Sequence, residues 1–320
     1  LSIGQEAAAV GTMMALSPED HIYSTHRCHA HYLAKGADLN AMIAELHGKA
    51  TGCTGGWGGS MHLVDESAGM MAAMPVVGDY ISLGIGSAMA FKLDGSGRVA
   101  VAFFGDAAVE TGQFWEAANY AALKKLPVMF VCENNQYATA THISERQPAG
   151  EIYQRVKPFM WSAHVEDNDI AAVFEAAKEC RSANPGFLEI ETYRYREHVG
   201  PNYDWDLGYR TEAEVVERLE SVETNRDAVQ IQDAVDHLIR VLHLLHRLCV
   251  KMIRQLIEPP VAAHFGTDEI QVDRRQLNGQ SGVQCFDDLF VTLHILFYCF
   301  NSFRRNDAAS LVSNEHKSSP

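Results

Sequence analysis

The sequence is poor in basic residues, and this shortage excludes several functions. Its 320 residues contain 26 Lys and Arg against 41 Asp and Glu, which gives a formal net charge of −15. Nucleic acids and anionic membrane surfaces are bound mainly through basic side chains, so an acidic chain is a poor candidate for either partner. The longest apolar run, Leu289–Phe300, is shorter than the roughly 18 to 20 residues that span a bilayer.

The sequence also lacks the cysteine patterns of small domains held together by disulfides or by a metal ion. Its seven cysteines are widely spaced, they include no C-x-x-C pair, and the chain has no N-x-S/T glycosylation site. These features argue against a disulfide framework and a zinc ribbon. We therefore expect reduced thiols and a cytoplasmic location. The mitochondrial matrix stays open, because the chain begins at Leu1 and we expect that its natural N-terminus is missing.

The composition changes along the chain. Residues 1–223 contain 30 acidic and 16 basic side chains and 21 of the 24 glycines, whereas residues 224–320 contain 11 acidic and 10 basic side chains. We predict a domain over 1–223 and a partly helical tail over 224–320, with an amphipathic helix at Asp227–Glu258. Three explanations of the tail are open: a divergent extension, an interface with a partner subunit, or the product of a shifted reading frame.

Apolar strand-like runs alternate with helical segments within residues 1–223. This alternation predicts an α/β fold with a mostly parallel sheet and helices on both faces. A loop with five glycines at Thr51–Ser60 is either flexible or allows the backbone to approach a ligand. The predicted strands are His21–His26, Arg98–Phe104, Pro127–Cys132 and Phe187–Tyr195, and the predicted helices are 4–16, 38–47, 80–93, 112–125 and 169–181.

The segment 98–137 carries the chemistry. A strand is followed by Asp106, a helix, a second strand and Asn135. A crossover of this kind makes the two strands parallel, so both side chains should lie at the same edge of the sheet, where ligands of α/β proteins bind. A carboxylate, an amide oxygen and the backbone carbonyl of Tyr137 would suit Mg²⁺ bound to a diphosphate. We expect a helix beginning near Ala108 to direct N–H groups at the phosphates.

Several motifs extend this pattern. Gly105-Asp106-Ala107 is followed after 26 residues by Asn134-Asn135. Further motifs are Gly4-Gln5-Glu6-Ala7, His26-Arg27 with His29, Gly58-Gly59-Ser60-Met61-His62, Gly112-Gln113-Phe114-Trp115-Glu116-Ala117 and Thr192-Tyr193-Arg194-Tyr195. With these motifs the chain resembles, from Gly4 to about Ala213, the alpha subunit of the thiamine-diphosphate-dependent component of 2-oxo-acid dehydrogenase complexes, the family that includes pyruvate and acetoin dehydrogenases. The Gly-Asp-Ala and Asn-Asn segments are similar to the thiamine-diphosphate signature of that family.

The resemblance implies a thiamine-diphosphate-binding fold and a set of site residues. Mg²⁺ would be held by Asp106, Asn135 and the Tyr137 carbonyl. Catalytic roles fall to His29 and to His198, whose loop would close over the cofactor. The residues implied to contact the cofactor are His26, Arg27, Val77, Gly78, Asp106, Ala107, Ala108, Asn135, Tyr137 and His198.

The resemblance also implies partners. The family's subunits form heterotetramers of two alpha and two beta chains and pass an acyl group to a lipoyl-bearing acyltransferase component. The substrate would be a small 2-oxo acid such as pyruvate, and acetoin is the alternative.

One departure from the family pattern leaves a further alternative open. Ala107 stands where the signature has its second glycine, so cofactor binding would suffer if this position requires a positive φ. A non-catalytic homologue that serves as an assembly partner is therefore the alternative from another class. The spacing of His26, His29 and His31 is also compatible with a metal cluster.

Overall fold

The computed structural model describes residues 2–166, 168–200 and 202–223. The helix predicted at Asp227–Glu258 lies outside this part of the chain. The helices are α1 (Glu6–Met14), α2 (His29–Ala34), α3 (Leu39–Leu46), α4 (Asp79–Asp94), α5 (Gly112–Lys124), α6 (Ile152–Val156), α7 (Ile170–Ser182) and α8 (Glu212–Glu223). The strands are β1 (His21–Thr25), β2 (Met70–Met74), β3 (Ala100–Gly105), β4 (Val128–Asn134), β5 (Tyr137–Ala138), β6 (Thr141–His142), β7 (Trp161–Val165) and β8 (Gly186–Glu191). The chain divides into two compact units at Thr211, and α8 is the described part of the second.

Six strands form one sheet in the order β2-β1-β3-β4-β8-β7, and every neighbouring pair is parallel. The prediction of an α/β fold with a mostly parallel sheet flanked by helices is confirmed. Strands β2 and β7 were not predicted, because both lie at the sheet edges and are only partly buried. The strand predicted over Phe187–Tyr195 ends early, at Glu191.

Strands β3 and β4 are the buried centre of the sheet, and β-branched, Phe and Ala side chains dominate them. Alternate residues point to opposite faces, as the pleat requires. On one face, Phe104 and Phe130 pack in a cluster with Phe114 of α5 and Ile81 of α4. On the other face lie α1, α2 and α7. A Cβ on Gly11 of α1 would lie only 2.8 Å from the Val173 side chain of α7, so glycine permits this close approach.

The glycine loop at 51–60 is wrapped around a single carboxylate. Glu45 of α3 is 1% exposed, and its two oxygens accept four backbone N–H bonds. The donors are Thr54 (2.9 Å), Gly56 (2.8 Å), Gly58 (2.8 Å) and Gly59 (2.9 Å). A Cβ at Gly56 would lie 2.7 Å from the backbone of Gly48. The glycines therefore let the backbone close around an anion supplied by the protein itself, and the loop is anchored.

Charge on Glu45 is maintained by these bonds. Burial alone raises the pKa of this carboxyl, but the N–H groups of Gly59, Gly56 and Thr54 outweigh burial and lower the pKa to about 2. The ionised form is thus the one that the folded loop selects.

A second buried carboxylate joins the sheet to α7 at the opposite ends of the strands. Asp20 accepts the backbone N–H of Val99 (2.8 Å) and that of Ser17 (2.7 Å), and it pairs with the guanidinium of Arg181 (2.8 Å).

Among the described residues, no helix combines the length and apolar character needed to cross a membrane.

We predict that Glu45→Gln destabilises the chain by about 2 kcal/mol or more, because it removes the charge that four N–H groups share. Urea unfolding at pH 7 measures the change. Glu175→Gln, which breaks only the exposed pair with Lys178, is the control and should change stability by less than about 1 kcal/mol.

The same pair of variants gives a pH test. A carboxyl whose pKa is lower in the folded chain stabilises it above the unfolded value, and this contribution is lost as the pH falls towards the folded value. Stability should therefore fall less steeply below about pH 4.5 in Glu45→Gln than in the wild type. Equal slopes would contradict the role assigned to Glu45.

Candidate functional site

Five neighbouring strands end together at one edge of the sheet. In three of the four adjoining pairs, the last residues lie side by side: Thr25 pairs with Met74, Gly105 with the penultimate residue of β4, and Asn134 with Glu191. In the fourth pair, β1 lies parallel to β3 with Tyr23 opposite Ala102. The residues proposed from sequence follow these ends. They are Val77 and Gly78 after β2, His26, Arg27 and His29 after β1, Asp106, Ala107 and Ala108 after β3, Asn135 and Tyr137 after β4, and His198 after β8.

The parallel register brings the predicted metal ligands to the same level. Gly105 pairs with Glu133, so Asp106 and Asn135 begin the loops of two adjacent strands. The Asn135 Oδ1 atom accepts the N–H of Tyr137 (3.1 Å) and keeps a second lone pair. A carboxylate, an amide oxygen and a backbone carbonyl form an all-oxygen donor set, which fits Mg²⁺.

Residues after β3 differ from the prediction. No α-helix begins near Ala108: Asp106–Glu110 is a short 3-10 turn, and α5 begins at Gly112. The reason is Thr111, whose extended backbone interrupts the helix and whose Oγ1 atom accepts the N–H of Phe114 (3.3 Å) as the N-cap. Any phosphate contact here therefore uses the N–H groups of a tight turn.

Ala107 does not strain the backbone. It is not among the residues with positive φ in the described chain, which are four non-glycine residues and thirteen glycines. Because its conformation is open to any L-residue, the alanine in place of the second signature glycine carries no backbone penalty. The backbone at Ala107 therefore gives no support to a non-catalytic homologue; the other motive for that alternative, the tail over 224–320, lies outside the described residues.

Arg146 pairs with the carboxylate of Asp106. The Asp106 side chain is 2% exposed, and its Oδ2 atom contacts the Arg146 Nη2 atom. Burial raises the pKa of Asp106, and the hydrogen bond and charge of Arg146 oppose that rise. Arg146 also pairs through Nη1 with Glu110, and Gln147 donates both to the Asp106 carbonyl (2.9 Å) and to Glu110 (2.8 Å).

His26 and His198 meet across the site. Their Nε2 atoms lie 3.0 Å apart, so one ring donates a proton to the other and at most one is protonated at that atom. Burial, the Arg27 guanidinium and His26 lower the pKa of His198 to about 3. Burial and Arg27 also lower the pKa of His26. Both rings are therefore neutral near pH 7, whereas Arg27 beside them keeps its positive charge, because burial lowers its pKa only to about 10.

The three histidines after β1 do not form a metal cluster. His26 faces His198, whereas His29 Nε2 bonds to Ser60 Oγ (2.9 Å) in the glycine loop. His31 bonds to Ser24 (2.7 Å) and to Glu133 (3.1 Å) inside the protein. The described residues contain no group of three or more His, Cys, Asp or Glu placed to hold a metal ion.

His29 is neutral and tied to the anchored loop. Burial lowers its pKa to about 3, and its Nδ1 atom is buried without a hydrogen-bond partner. The sequence proposes a catalytic role for His29, and the structure places this ring at the start of α2, next to His26 and Arg27 in the chain.

Gly78 forms the turn between β2 and α4. Its φ is +100°, which favours glycine, and a Cβ there would meet Gln113 Oε1 at 2.8 Å. Gln113 in turn donates to Asp79 (2.6 Å), which fixes the start of α4. Val77, just before this turn, is exposed.

Sequence reasoning missed three residues that contact Asp106 or its neighbours: Glu110, Arg146 and Gln147. Glu110 lies four residues after Asp106, and that spacing was a usable signal. Arg146 and Gln147 are about 40 residues further along the chain, and nothing in their local sequence indicates these contacts.

Comparison with known protein families identifies the class. The family model described as "Dehydrogenase E1 component" matches residues 1–238, and the chain belongs to this family. The resemblance drawn from the motifs is confirmed, and the match continues beyond residue 223.

Within this family, the chain is similar to alpha subunits of acetoin and pyruvate enzymes. The alpha subunit of acetoin:2,6-dichlorophenolindophenol oxidoreductase from Bacillus subtilis (strain 168) is 42% identical over 237 residues, which are 72% of this chain and 69% of that protein. The pyruvate dehydrogenase E1 component subunit alpha, somatic form, mitochondrial, of Bos taurus is 38% identical over 219 residues, 67% of this chain and 55% of that protein. The pyruvate dehydrogenase E1 component subunit alpha of Rhizobium meliloti (strain 1021) is 41% identical over 204 residues, 62% of this chain and 59% of that protein.

We predict that the His198 ring does not titrate between pH 5 and 8. Burial and the neighbouring Arg27 keep it neutral, whereas an unperturbed histidine titrates near 6.5. NMR of histidine ring protons measures this, and His198→Gln assigns the resonance. A midpoint near pH 6.5 for that resonance would contradict the arrangement seen here.

Proposed function

We propose that the chain is the alpha subunit of a thiamine-diphosphate-dependent 2-oxo-acid dehydrogenase, acting on a pyruvate-like substrate. The observation that carries the proposal is the convergence of five parallel strand ends, which bring the signature residues Asp106 and Asn135 to one edge with Arg27 and His198. Membership of the dehydrogenase E1 family supports it. The enzyme would be an oxidoreductase with a lipoyl group as acceptor.

The residues divide the binding between metal, phosphates and ring. Asp106, Asn135 and the Tyr137 carbonyl would hold Mg²⁺. Arg27, with a permanent charge and several donors, and the N–H groups of Ala107 and Ala108 would bind the diphosphate. Val77 and Gly78 would meet the aminopyrimidine ring through their backbone.

When bound, thiamine diphosphate supplies the carbanion chemistry that amino-acid side chains lack. The chain's own residues would position the cofactor and exchange hydrogen bonds and protons with it. His26 and His198 are neutral and share one proton between their Nε2 atoms, so they can donate and accept hydrogen bonds without adding charge. His29 borders this pair and is held by the anchored glycine loop.

The site requires a second protein. In the proposed assembly, two alpha and two beta chains form a heterotetramer, and the beta subunit supplies the carboxylate that activates the pyrimidine ring. A lipoyl-bearing acyltransferase component then receives the acyl group. The chain would work in the cytoplasm, with the mitochondrial matrix as the alternative.

Acetoin is the second candidate substrate. The specific observation in its favour is that the chain matches 69% of the Bacillus acetoin oxidoreductase subunit at 42% identity, against 55% and 59% of the bovine and Rhizobium pyruvate subunits. Both substrates would use the same cofactor site, so the choice lies in side chains that border the reacting carbon.

We predict that the purified chain binds thiamine diphosphate only with Mg²⁺, and that Asp106→Asn weakens binding about 100-fold by removing a ligand charge. Isothermal titration calorimetry with and without a chelator measures both effects. Asp94→Asn is the control, since Asp94 is the last residue of α4, before β3 begins, and it bonds to Arg98 (2.8 Å) and to the N–H of Ser96 (2.8 Å). No binding by the wild type, both alone and after reconstitution with a beta subunit, would instead favour a non-catalytic assembly partner.

We also predict no oxidative decarboxylation by this chain alone, because it holds only half of the proposed active site. Activity should appear on reconstitution with a beta subunit and a lipoyl acceptor. A screen of pyruvate, branched 2-oxo acids and acetoin then identifies the substrate. Turnover by the chain without a second subunit would contradict the proposed requirement for a beta subunit.

A further inference from the structure

We propose that Arg146 is the positioning residue of the metal site: it binds one oxygen of Asp106 and ties that carboxylate to the hairpin that carries Tyr137. This inference rests on the proposed function, because it assigns Asp106 as a metal ligand.

The two oxygens of Asp106 are used differently. Oδ2 pairs with Arg146, whereas Oδ1 receives no hydrogen bond from another residue in the described part of the chain. Because a carboxylate with one bound oxygen has a fixed plane, the second oxygen has a defined direction. A ligand oxygen held in this way loses little freedom when it binds a cation.

Arg146 is itself fixed from three sides. Its Nε atom donates to the carbonyl of Thr141 (3.1 Å), Nη1 pairs with Glu110 and Nη2 pairs with Asp106. The side chain is 10% exposed. All three nitrogens of the planar guanidinium are therefore engaged, and the group cannot rotate without breaking several bonds.

These bonds connect the separate metal ligands. Thr141 belongs to β6, which pairs with β5, where Tyr137 lies directly opposite His142. The N–H of Ile143 also donates to the carbonyl of Gln136 (2.7 Å), which closes the hairpin against the loop after β4. Arg146 thus joins the loop after β3 to the hairpin after β4, so that the Asp106 carboxylate and the Tyr137 carbonyl are held in one unit.

The surrounding groups fix Glu110 as well. Gln147 donates to Glu110 Oε1 (2.8 Å), and Arg155 donates to Gln147 Oε1 (2.8 Å), which sets the orientation of the amide. With Arg146 absent, Glu110 would be a second carboxylate close to Asp106 with its main cation removed. Arg146 therefore also keeps the two negative groups in separate positions.

The change in metal affinity on removal of Arg146 shows whether Arg146 orients Asp106 or competes with the metal for it. If Arg146 only occupied the place of the metal, its removal would strengthen metal binding. If it orients Asp106, its removal weakens metal binding about 10- to 100-fold, as the loss of a residue behind a metal ligand typically does.

The test is Mn²⁺ binding to the full chain with saturating thiamine diphosphate, measured as free Mn²⁺ by electron paramagnetic resonance. We expect Arg146→Gln to weaken Mn²⁺ binding about 10- to 100-fold. Arg146→Lys should recover part of the affinity, since an ammonium keeps the charge but cannot span Asp106, Glu110 and Thr141. Glu110→Gln, at a partly exposed side chain, should cause a smaller loss and covers the case in which Arg146→Gln does not fold.

Two controls separate positioning from stability and from charge. Glu45→Gln should lower the melting temperature without changing Mn²⁺ affinity. Arg98→Gln removes an arginine from a partly exposed pair before the opposite end of β3 and should leave Mn²⁺ affinity unchanged. Unchanged or tighter Mn²⁺ binding in both Arg146→Gln and Glu110→Gln would overturn the inference. Absence of Mn²⁺ binding by the wild type, both alone and after reconstitution with a beta subunit, would instead overturn the proposed function itself.

Discussion

Parallel pairing of the strands is the constraint on which the site depends. Parallel hydrogen bonding fixes which residues lie side by side, so the register of Gly105 with Glu133 also decides that Asp106 and Asn135 leave the sheet together. The strands are apolar and buried on both faces, which leaves only their ends for polar chemistry. Five strands ending at one edge can thus bring together side chains that are 172 residues apart in sequence, as His26 and His198 are.

Two carboxylates show how an acidic protein controls its negative charge. Glu45 is surrounded by backbone N–H groups, and its ionised form holds a loop rich in glycine. Asp106 is held by the guanidinium of Arg146 on one oxygen only, and the other oxygen stays available. The first arrangement satisfies the carboxylate fully and is structural. The second leaves it partly satisfied, and a buried, partly satisfied anion is a site where a cation would bind.

The sequence was sufficient for the parts of the molecule that depend on local pattern. Apolar runs predicted the central strands, and a strand–helix–strand crossover predicted that Asp106 and Asn135 share an edge. It was insufficient where the outcome depended on contacts distant in sequence, such as Glu45 with Gly58, or Arg146 with Asp106. It was wrong about a helix at Ala108, because Thr111 acts as an N-cap and restarts the helix after a 3-10 turn. The sequence also left open whether residues 51–60 are a flexible loop. In the structure this loop is held by Glu45 of α3, a contact that local sequence does not indicate.

Burial then determines the sign of charge at the proposed cofactor site. The basic side chains of this group are His26, Arg27 and His198. Of the three, only Arg27 keeps its charge, because burial and the positive charge of Arg27 lower the pKa of both histidines. In the proposed function, the charge of a diphosphate would be balanced partly by this guanidinium and partly by a metal ion on Asp106 and Asn135, with support from the N–H groups of the turn at Ala107. The neutral histidines leave that balance undisturbed while still offering a proton, so the same burial that removes their charge makes them suited to hydrogen bonding beside an anionic cofactor.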